Sequence, residues 1–438
     1  MKEKTKLFTL IVGLLLVSTL ASCNSKNECQ TSNEDSQSEG STSEQQSESS
    51  EDEYISGYVD GYSEGHEEGY SEGYEDGYSD GQDDGHEEGY SDGYEDGLED
   101  AKTDYRTIHT ADQLAYLNKE DYKTVQDGVD GQSEKSRPLP LEFSMQESPL
   151  FETSDIVSSK LRISEDSNFA NYVEVDGDDC HFEVYNLKIN TKYYYYYFGE
   201  DTHGVTYYSD VKTVFVKNEA PRLLKIEGVT NARDDGGWKI KGEDKYTKQG
   251  LIYRMGQLHQ STTTYITEEG IKEFKALGIK TEIDLRLTTQ NSVYESAVDG
   301  VTYYNYPMNE NVNTFFTDSN NRESIKNVLT LMANKNNYPL MFHCTIGTDR
   351  TGFISFLINA LAGVEAEYLY RDYLMSNFAN IGGSRDYQAI DNYIKTLKGS
   401  YDGITDLSDG AKNYMLDIGL TENEINNIKD IMLGNINI

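Results

Sequence analysis

Apolar side chains fall into two textures along the chain. Between residues 141 and 216 they alternate with polar ones in short runs: 141–143, 160–163, 172–175, 180–187, the aromatic stretch 193–198, and 211–216. A period of two, with polar turns such as Asp176-Gly177 between the runs, predicts half-buried strands of a β-sandwich. From Leu223 onward, compact apolar runs alternate with helical patterns. Strands are predicted over 252–258, 279–285, 301–306 and 338–342. Helices are predicted over 267–277 (closed by Gly278), over 322–333, and from Phe353 onward. Strands alternating with helices predict an α/β domain, a central and mostly parallel sheet with flanking helices. Its functional groups belong at the carboxyl ends of the strands.

The first 137 residues have neither texture. Lys2, Lys4 and Lys6 precede an apolar run over 7–20, shorter than a membrane span, and then Leu20-Ala21-Ser22-Cys23. This reads as a targeting segment over 1–22. It resembles a bacterial lipobox, which would make Cys23 the lipidated N-terminus of a protein anchored outside the cytoplasm. The alternative is a plain secretory signal. Residues 23–53 are rich in Ser, Glu and Gln and form a spacer unable to build a core. Residues 54–100 repeat every four residues, with Gly at each step from Gly57 to Gly97, Tyr usually following, and acids completing the unit. Glycine every fourth residue and repelling acids predict a disordered or marginally helical stalk. The alternative is a Tyr-Gly stripe that packs on a protein or cell-wall partner. Residues 101–137, polar with slight helical patterning at Leu114 and Leu117, read as a linker.

Charge sharpens this division. The net charge of −39 divides into +2 over 1–23, −25 over 24–100 and −16 over the remainder. No basic stripe exists, which argues against nucleic-acid binding. The four cysteines form no disulfide framework, no metal-ligand spacing appears, and no cofactor is implied.

One stretch carries chemistry. Met341-Phe342-His343-Cys344-Thr345-Ile346-Gly347-Thr348-Asp349-Arg350-Thr351-Gly352 places a cysteine at a strand end, an arginine six residues on, and a helix start behind it. Loop N–H groups and the helix dipole make an anion site. Arg350 can grip two oxyanion oxygens. A cysteine in that field is held as thiolate. Together these describe a cysteine-dependent phosphatase.

Residues 343–352 resemble the HCxxGxDRTG signature of the protein tyrosine phosphatase superfamily, and most resemble its bacterial branch of tyrosine, dual-specificity or lipid-active enzymes. Asn231-Ala232-Arg233-Asp234-Asp235-Gly236-Gly237 is similar to that branch's NxRDxGG motif. Residues 251–258 are similar to its "lyRSgqL" strand, Asp284-Leu285-Arg286 to its DLR motif, and 372–377 to a later helical motif. Residues 222–438 thus form the expected phosphatase domain. Residues 138–217 resemble a fibronectin type III domain, on 164–169, Tyr185-Asn186-Leu187 and Thr191-Lys192-Tyr193.

The resemblance implies a two-step reaction. Cys344 attacks phosphorus, and the phosphocysteine is then hydrolysed. The N–H groups of Thr345, Ile346, Gly347, Thr348, Asp349 and Arg350, with the Arg350 side chain, would stabilise the equatorial oxygens. Thr351 would assist the leaving sulfur and His343 would brace the loop. Asp349 is the first candidate for the general acid, ahead of Glu310 and Asp318. The branch's Asp after the loop proline is replaced here by Met308. Arg233, Asp234 and Arg286 either support the site or hold a sheet edge. The branch often has Lys where Thr348 stands, a residue linked to phosphoinositides, so phosphotyrosine is the favoured substrate. A phosphatase of lipids or small phosphate esters and an inactive binding protein are the alternatives.

Overall fold

The computed structural model describes residues 103–438 apart from 126–128, 133–136, 146–154, 179, 260–264, 291–292 and 402. The expected signal segment with Cys23, the spacer and the Gly-Tyr repeat lie outside the described residues. The chain divides into two compact units, Met1–Asp92 and Gly93–Ile438, and everything below concerns the second.

Strand β1 (Asp104–Arg106) and helix α1 (Ala111–Leu117) come first. They are followed by β2 (Leu141–Ser144), β3 (Ile156–Ser164), β4 (Val173–Asp176), β5 (His181–Val184), β6 (Thr191–Asp201), β7 (Thr206–Tyr208) and β8 (Lys212–Val216). The larger sheet has the order β1-β8-β6-β3-β4, with β7 also on β6, and β2 pairs β5 in a second, two-stranded sheet. Only β1 joins the larger sheet in parallel, against β8. The five-tyrosine run lies in β6, where the period of two divides it. Tyr193, Tyr195 and Tyr197 are buried with Phe143 and Phe182 of the smaller sheet, while Tyr194 and Tyr196 stay half-exposed on the other face.

Residues 101–137 differ from the expected linker. Beyond β1, Thr110 and Gln113 form a capping box that starts α1. Tyr116 of that helix is fully buried in the core of the C-terminal domain. Leu117, Tyr122, Val125 and Val129 pack partly buried against the same core, but their irregular spacing on a polar stretch leaves little periodicity to read.

The C-terminal domain follows with β9 (Arg233–Asp234), β10 (Ile252–Met255), α2 (Glu268–Ala276), β11 (Thr281–Asp284), β12 (Thr302–Asn305), α3 (Ser319–Met332), β13 (Leu340–His343) and α4 (Asp349–Ala362). Helices α5 (Ala366–Met375), α6 (Gln388–Gly399), α7 (Leu407–Asp417) and α8 (Glu422–Met432) complete it. The sheet order is β12-β11-β13-β10-β9, parallel except for β9. Alternate residues of β13 face opposite cores. Leu340 and Phe342 pack into the main core with α3 to α8, and Met341 packs into a smaller one with Phe274 of α2. Every residue of α4 after Asp349 is buried, so this helix runs through the domain interior. β13 and α4 thereby fix both ends of the loop between them.

The sandwich is tied to this domain by hydrogen bonds as well as packing. The Asn186 side chain exchanges two bonds with the Lys225 main chain (2.9 and 2.7 Å). Gln249 does the same with Ile189 (3.1 and 2.9 Å).

Candidate active site

β13 ends at His343, and the chain turns through residues 344–348 into α4. Thr348 is the N-cap and makes no side-chain cap bond, so no capping side chain takes the first N–H groups of the helix. Four successive carbonyls of the turn are held by surrounding residues. The Gln257 N–H donates to Thr345 O (3.2 Å). Asn231 Nδ2 donates to the carbonyls of Ile346 and Gly347 (3.1 Å each). Arg254 Nη2 donates to Gly347 O (2.9 Å) and Thr348 O (3.5 Å). In a planar trans peptide the N–H points opposite to the C=O. Carbonyls drawn outward therefore leave the N–H groups of residues 346–349 facing the inside of the turn, where they can cradle a tetrahedral oxyanion. Gly347 has φ +70°, and a Cβ there would lie 2.5 Å from the Met255 backbone. Only glycine lets the turn sit this close to β10.

Cys344 is buried at the head of the turn. Burial pushes its thiol up, but the Arg350 charge and hydrogen bonds from Thr351 outweigh burial and hold it below the ordinary value. The Thr351 hydroxyl is itself buried and has no nitrogen or oxygen partner, which leaves it to the sulfur. Behind Cys344, His343 Nδ1 donates to the Cys344 carbonyl (3.0 Å), and Nε2 meets Glu282 (2.9 Å). Burial lowers the imidazole's pKa, yet Asp284 and Glu282 prevail and raise it. A protonated ring donates to both partners and braces the strand end. Arg350 reaches Gln290 Oε1 (2.9 Å) and Thr345 Oγ1 (3.2 Å).

Residues 224–434 match the tyrosine phosphatase family. Over 118 residues the chain is 26% identical to the OCA1 protein of Scheffersomyces stipitis, whose name proposes a tyrosine-protein phosphatase. That stretch is 26% of this chain and 56% of the relative, so the chain spans a little over half the length of the curated relative it matches. Among solved structures, the core catalytic domain of the PP-IP phosphatase SIW14 from S. cerevisiae, bound to citrate, is similar at 21% identity. It covers 39% of this chain and 93% of that one, with a TM-score of 0.24. A second Siw14 catalytic core shares 18% identity, over 39% and 92%, also with a TM-score of 0.24. The family match and the curated relative support a cysteine-type phosphatase.

The matched motifs divide their labour in the C-terminal domain. Arg233 binds the Asp372 carboxylate (2.8 Å), the Asp372 carbonyl (2.9 Å) and Asn231 Oδ1 (2.5 Å). Arg254 pairs with the other oxygen of Asp372. Asn231, Arg233, Arg254 and Asp372 thus form one buried brace behind the loop. Asp234 is not part of it. Its carboxylate accepts from Arg222 (2.8 Å) and from the N–H groups of Gly236 (2.9 Å) and Gly250 (2.7 Å). Arg222 in turn donates to the carbonyls of Leu187 and Asn186 in the sandwich. Neighbours in β9 point to opposite sides, which sends Arg233 to the loop and Asp234 to the interdomain contact. Arg286 is committed to Asp284 (2.6 Å) and Gln257 (3.0 Å), and Tyr303 also donates to Asp284 (2.7 Å). It supports the strand ends rather than the cradle.

The three carboxylate candidates for the acid are placed differently. Asp349 accepts two bonds from Arg385 (3.0 Å each) and one from Tyr373 (2.9 Å). Glu310 has an exposed side chain, accepts from Gln290, and lies 3.6 Å from Arg350 Nη2. Asp318 caps α3, accepting from the Asn321 N–H (2.9 Å), a role that accounts for its position without chemistry. Sequence reasoning assigned no role to Arg254, Asp372, Gln290 or Arg385. Arg254 carried a signal, a charge inside an apolar strand, and Arg385, in a Gly-Gly-Ser-Arg stretch, carried none. Among the described residues, no group of three or more His, Cys, Asp or Glu side chains is placed to hold a metal ion.

Proposed function

We propose that the C-terminal domain hydrolyses phosphotyrosine through a phosphocysteine. The observation that carries this is the turn 344–350, its carbonyls bound from outside and its N–H groups inward around a buried cysteine of lowered pKa. In the first step the Cys344 thiolate bonds to phosphorus as the bond to the tyrosyl oxygen breaks, and an acid protonates that oxygen. In the second, water attacks the phosphocysteine and gives its proton to the same carboxylate. Phosphate leaves, and Cys344 returns as thiolate beside the Thr351 hydroxyl.

Asp349 remains the first candidate for the acid. It meets Arg385 as a carboxylate, so its protonation requires that pair to loosen when a phosphate dianion enters. Glu310, exposed and 3.6 Å from Arg350 Nη2, is the second reading. Thr348 is buried and hydrogen-bonded to Asn231 (3.2 Å), so position 348 offers no cation to a polyanionic headgroup, which favours an aryl phosphate.

The remaining expectations complete the proposal. Cys23 carries a lipid that anchors the mature protein outside a bacterial cytoplasm, the repeat is a stalk, and residues 138–217 are a fibronectin type III-like spacer.

The test is hydrolysis by the full chain, without metal, of a phosphotyrosine peptide, a phosphoserine peptide and a phosphoinositide, with Cys344→Ser alongside. Phosphotyrosine turnover that vanishes in the variant is the expected result. Turnover of the lipid alone would overturn the substrate class. No turnover of any would favour a binding protein.

A further inference from the structure

A segment from before the sandwich helps to build the rim of the catalytic loop. After β1, α1 and residues 129–132 lie on the C-terminal domain, and β2 belongs again to the N-terminal sheets. Arg371 of α5 donates to the carbonyls of Tyr116 and Lys119 (2.8 Å each), and Lys123 pairs with Asp391 of α6 (2.7 Å). These anchors bring residues 129–132 against 377–383. The Gly131 N–H donates to Asn377 O (3.0 Å). Its carbonyl accepts the N–H groups of Ile381 and Gly382 (3.0 Å each) and of Gly383 (3.3 Å). Gly131 has φ +67°, and a Cβ would lie 2.6 Å from Gly383 O, so no other residue fits without moving the turn.

The tied turn leads into Arg385. Asn377 holds its main chain from both sides, accepting from the Arg385 N–H (2.6 Å) and donating to its carbonyl (2.9 Å). The Gly383 carbonyl accepts from Arg385 Nη1 (3.1 Å). The remaining edge of the guanidinium takes both oxygens of Asp349 on the catalytic loop. A stretch reading Gly382-Gly383-Ser384 loses more backbone freedom on ordering than most. A single external point, the Gly131 carbonyl, removes that freedom next to the site.

We propose that Gly131, outside the region that matches the family, is a positioning residue for Arg385 and, through it, for Asp349. This rests on the phosphatase reading above. The strap makes the N-terminal segment part of the working site, and the region 224–434 alone lacks it.

The experiment compares the full chain with Gly131→Ala, Arg385→Met and the double variant on a phosphotyrosine peptide. Gly131→Ala is expected to lower kcat/KM about tenfold, mainly in kcat, and to add nothing in the Arg385→Met background. Amide hydrogen exchange supplies a readout independent of turnover. The amides of 381–383 are expected to lose protection in Gly131→Ala while those of α4 keep theirs. Additive losses in the double variant, or unchanged exchange at 381–383, would overturn the proposal. Should Gly131→Ala fail to fold, Asn377→Ala must show the same non-additivity with Arg385→Met. Absence of turnover in the unaltered protein would sink the phosphatase reading, and the exchange data would still decide whether Gly131 holds this turn.

Discussion

Asn231 controls the catalytic loop through one amide group, and Asn231→Asp tests that control with almost no change of shape. Its φ is +59°, a conformation Asp tolerates as Asn does. The oxygen that accepts from Arg233 is kept. What is lost is Nδ2, which lies 3.1 Å from the carbonyls of Ile346 and Gly347 and 3.2 Å from the hydroxyls of Thr348 and Ser376. In its place an anionic oxygen faces two carbonyl oxygens in a site 1% exposed. Gly347 O keeps Arg254, but Ile346 O keeps only Thr348 Oγ1, at 3.4 Å. An orphaned buried acceptor costs about 1–3 kcal/mol, and repulsion adds to that. The two hydroxyls can turn to donate to the new oxygen and recover roughly 1 kcal/mol each. With that recovery offsetting the repulsion, the net loss of stability is about 1–3 kcal/mol by denaturant titration.

The catalytic loss should exceed what stability alone implies. Once the peptide 346–347 is free to rotate, its N–H group no longer faces the phosphate. Loss of one preorganised donor lowers kcat by about 10²–10³. The new charge also pushes the Cys344 thiol up, so the pH profile of its alkylation moves to higher pH. The assays are kcat/KM on an aryl phosphate and the rate of thiol alkylation against pH. A kcat/KM within threefold of the unaltered protein, with an unmoved alkylation profile, would refute the claim that outward-held carbonyls orient this loop.

Three further predictions follow from the same contacts. Asp349→Asn should slow aryl phosphates with poor leaving groups more than those with good ones. Equal slowing across the series, with the steeper dependence in Glu310→Gln, would give the acid's role to Glu310. His343, raised above its ordinary 6.5 by Asp284 and Glu282 against burial, stabilises the fold fully below that value, and the contribution is lost as pH rises through the folded pKa. Urea midpoints should therefore fall on that alkaline side, and His343→Gln should flatten the dependence. Arg222→Met strands the buried Asp234 carboxylate and frees two sandwich carbonyls, at a cost of about 3–5 kcal/mol by denaturant titration. Turnover per folded molecule should stay within about twofold, because the pair touches no part of the loop.

The turn 344–348 between a strand and a helix was legible because its residues are contiguous. Cysteine, glycine, arginine and the helix start lie within nine residues, and the apolar runs on either side announce strand and helix. The brace was legible only as motifs. Nothing along the chain says that Asn231 meets the carbonyl of Ile346, or that Arg254 and Arg233 share Asp372, because those meetings depend on how β9, β10 and α5 come together. Arg233 and Asp234 show the limit most clearly. Adjacent in one motif, they face opposite sides of β9 and serve different interfaces. The expected linker, 101–137, holds β1 and α1 among its described residues, and the pattern hid them for a related reason. Its hold on the domain includes Tyr116, the Lys123–Asp391 ion pair, main-chain carbonyls offered to Arg371, and the N–H and C=O of Gly131, and main-chain groups leave no trace in a hydrophobic pattern.

Charge explains why so polar a brace can lie buried behind Cys344. Arg233 and Arg254 face two carboxylates, Asp372 and Asp235, joined through Ser355. The Ser355 hydroxyl lies within hydrogen-bonding distance of both, yet has one hydrogen and cannot donate to both. A proton on Asp235 resolves the conflict, since Asp235 then donates to Ser355 Oγ and Ser355 donates to Asp372 Oδ2 (3.2 Å). Burial and the Asp372 charge push Asp235 the same way, well above the usual carboxylate range, while Arg233 and Arg254 overcome burial and hold Asp372 below it. With Asp235 neutral, the cluster carries two positive charges against one negative and delivers the surplus to the carbonyls of Gly347 and Thr348 through Arg254. Arg350 stands at the front of the same loop. On the proposed reaction, a thiolate and an incoming phosphate dianion meet positive charge from both sides, and the rear charge needs no solvent-exposed cation to supply it.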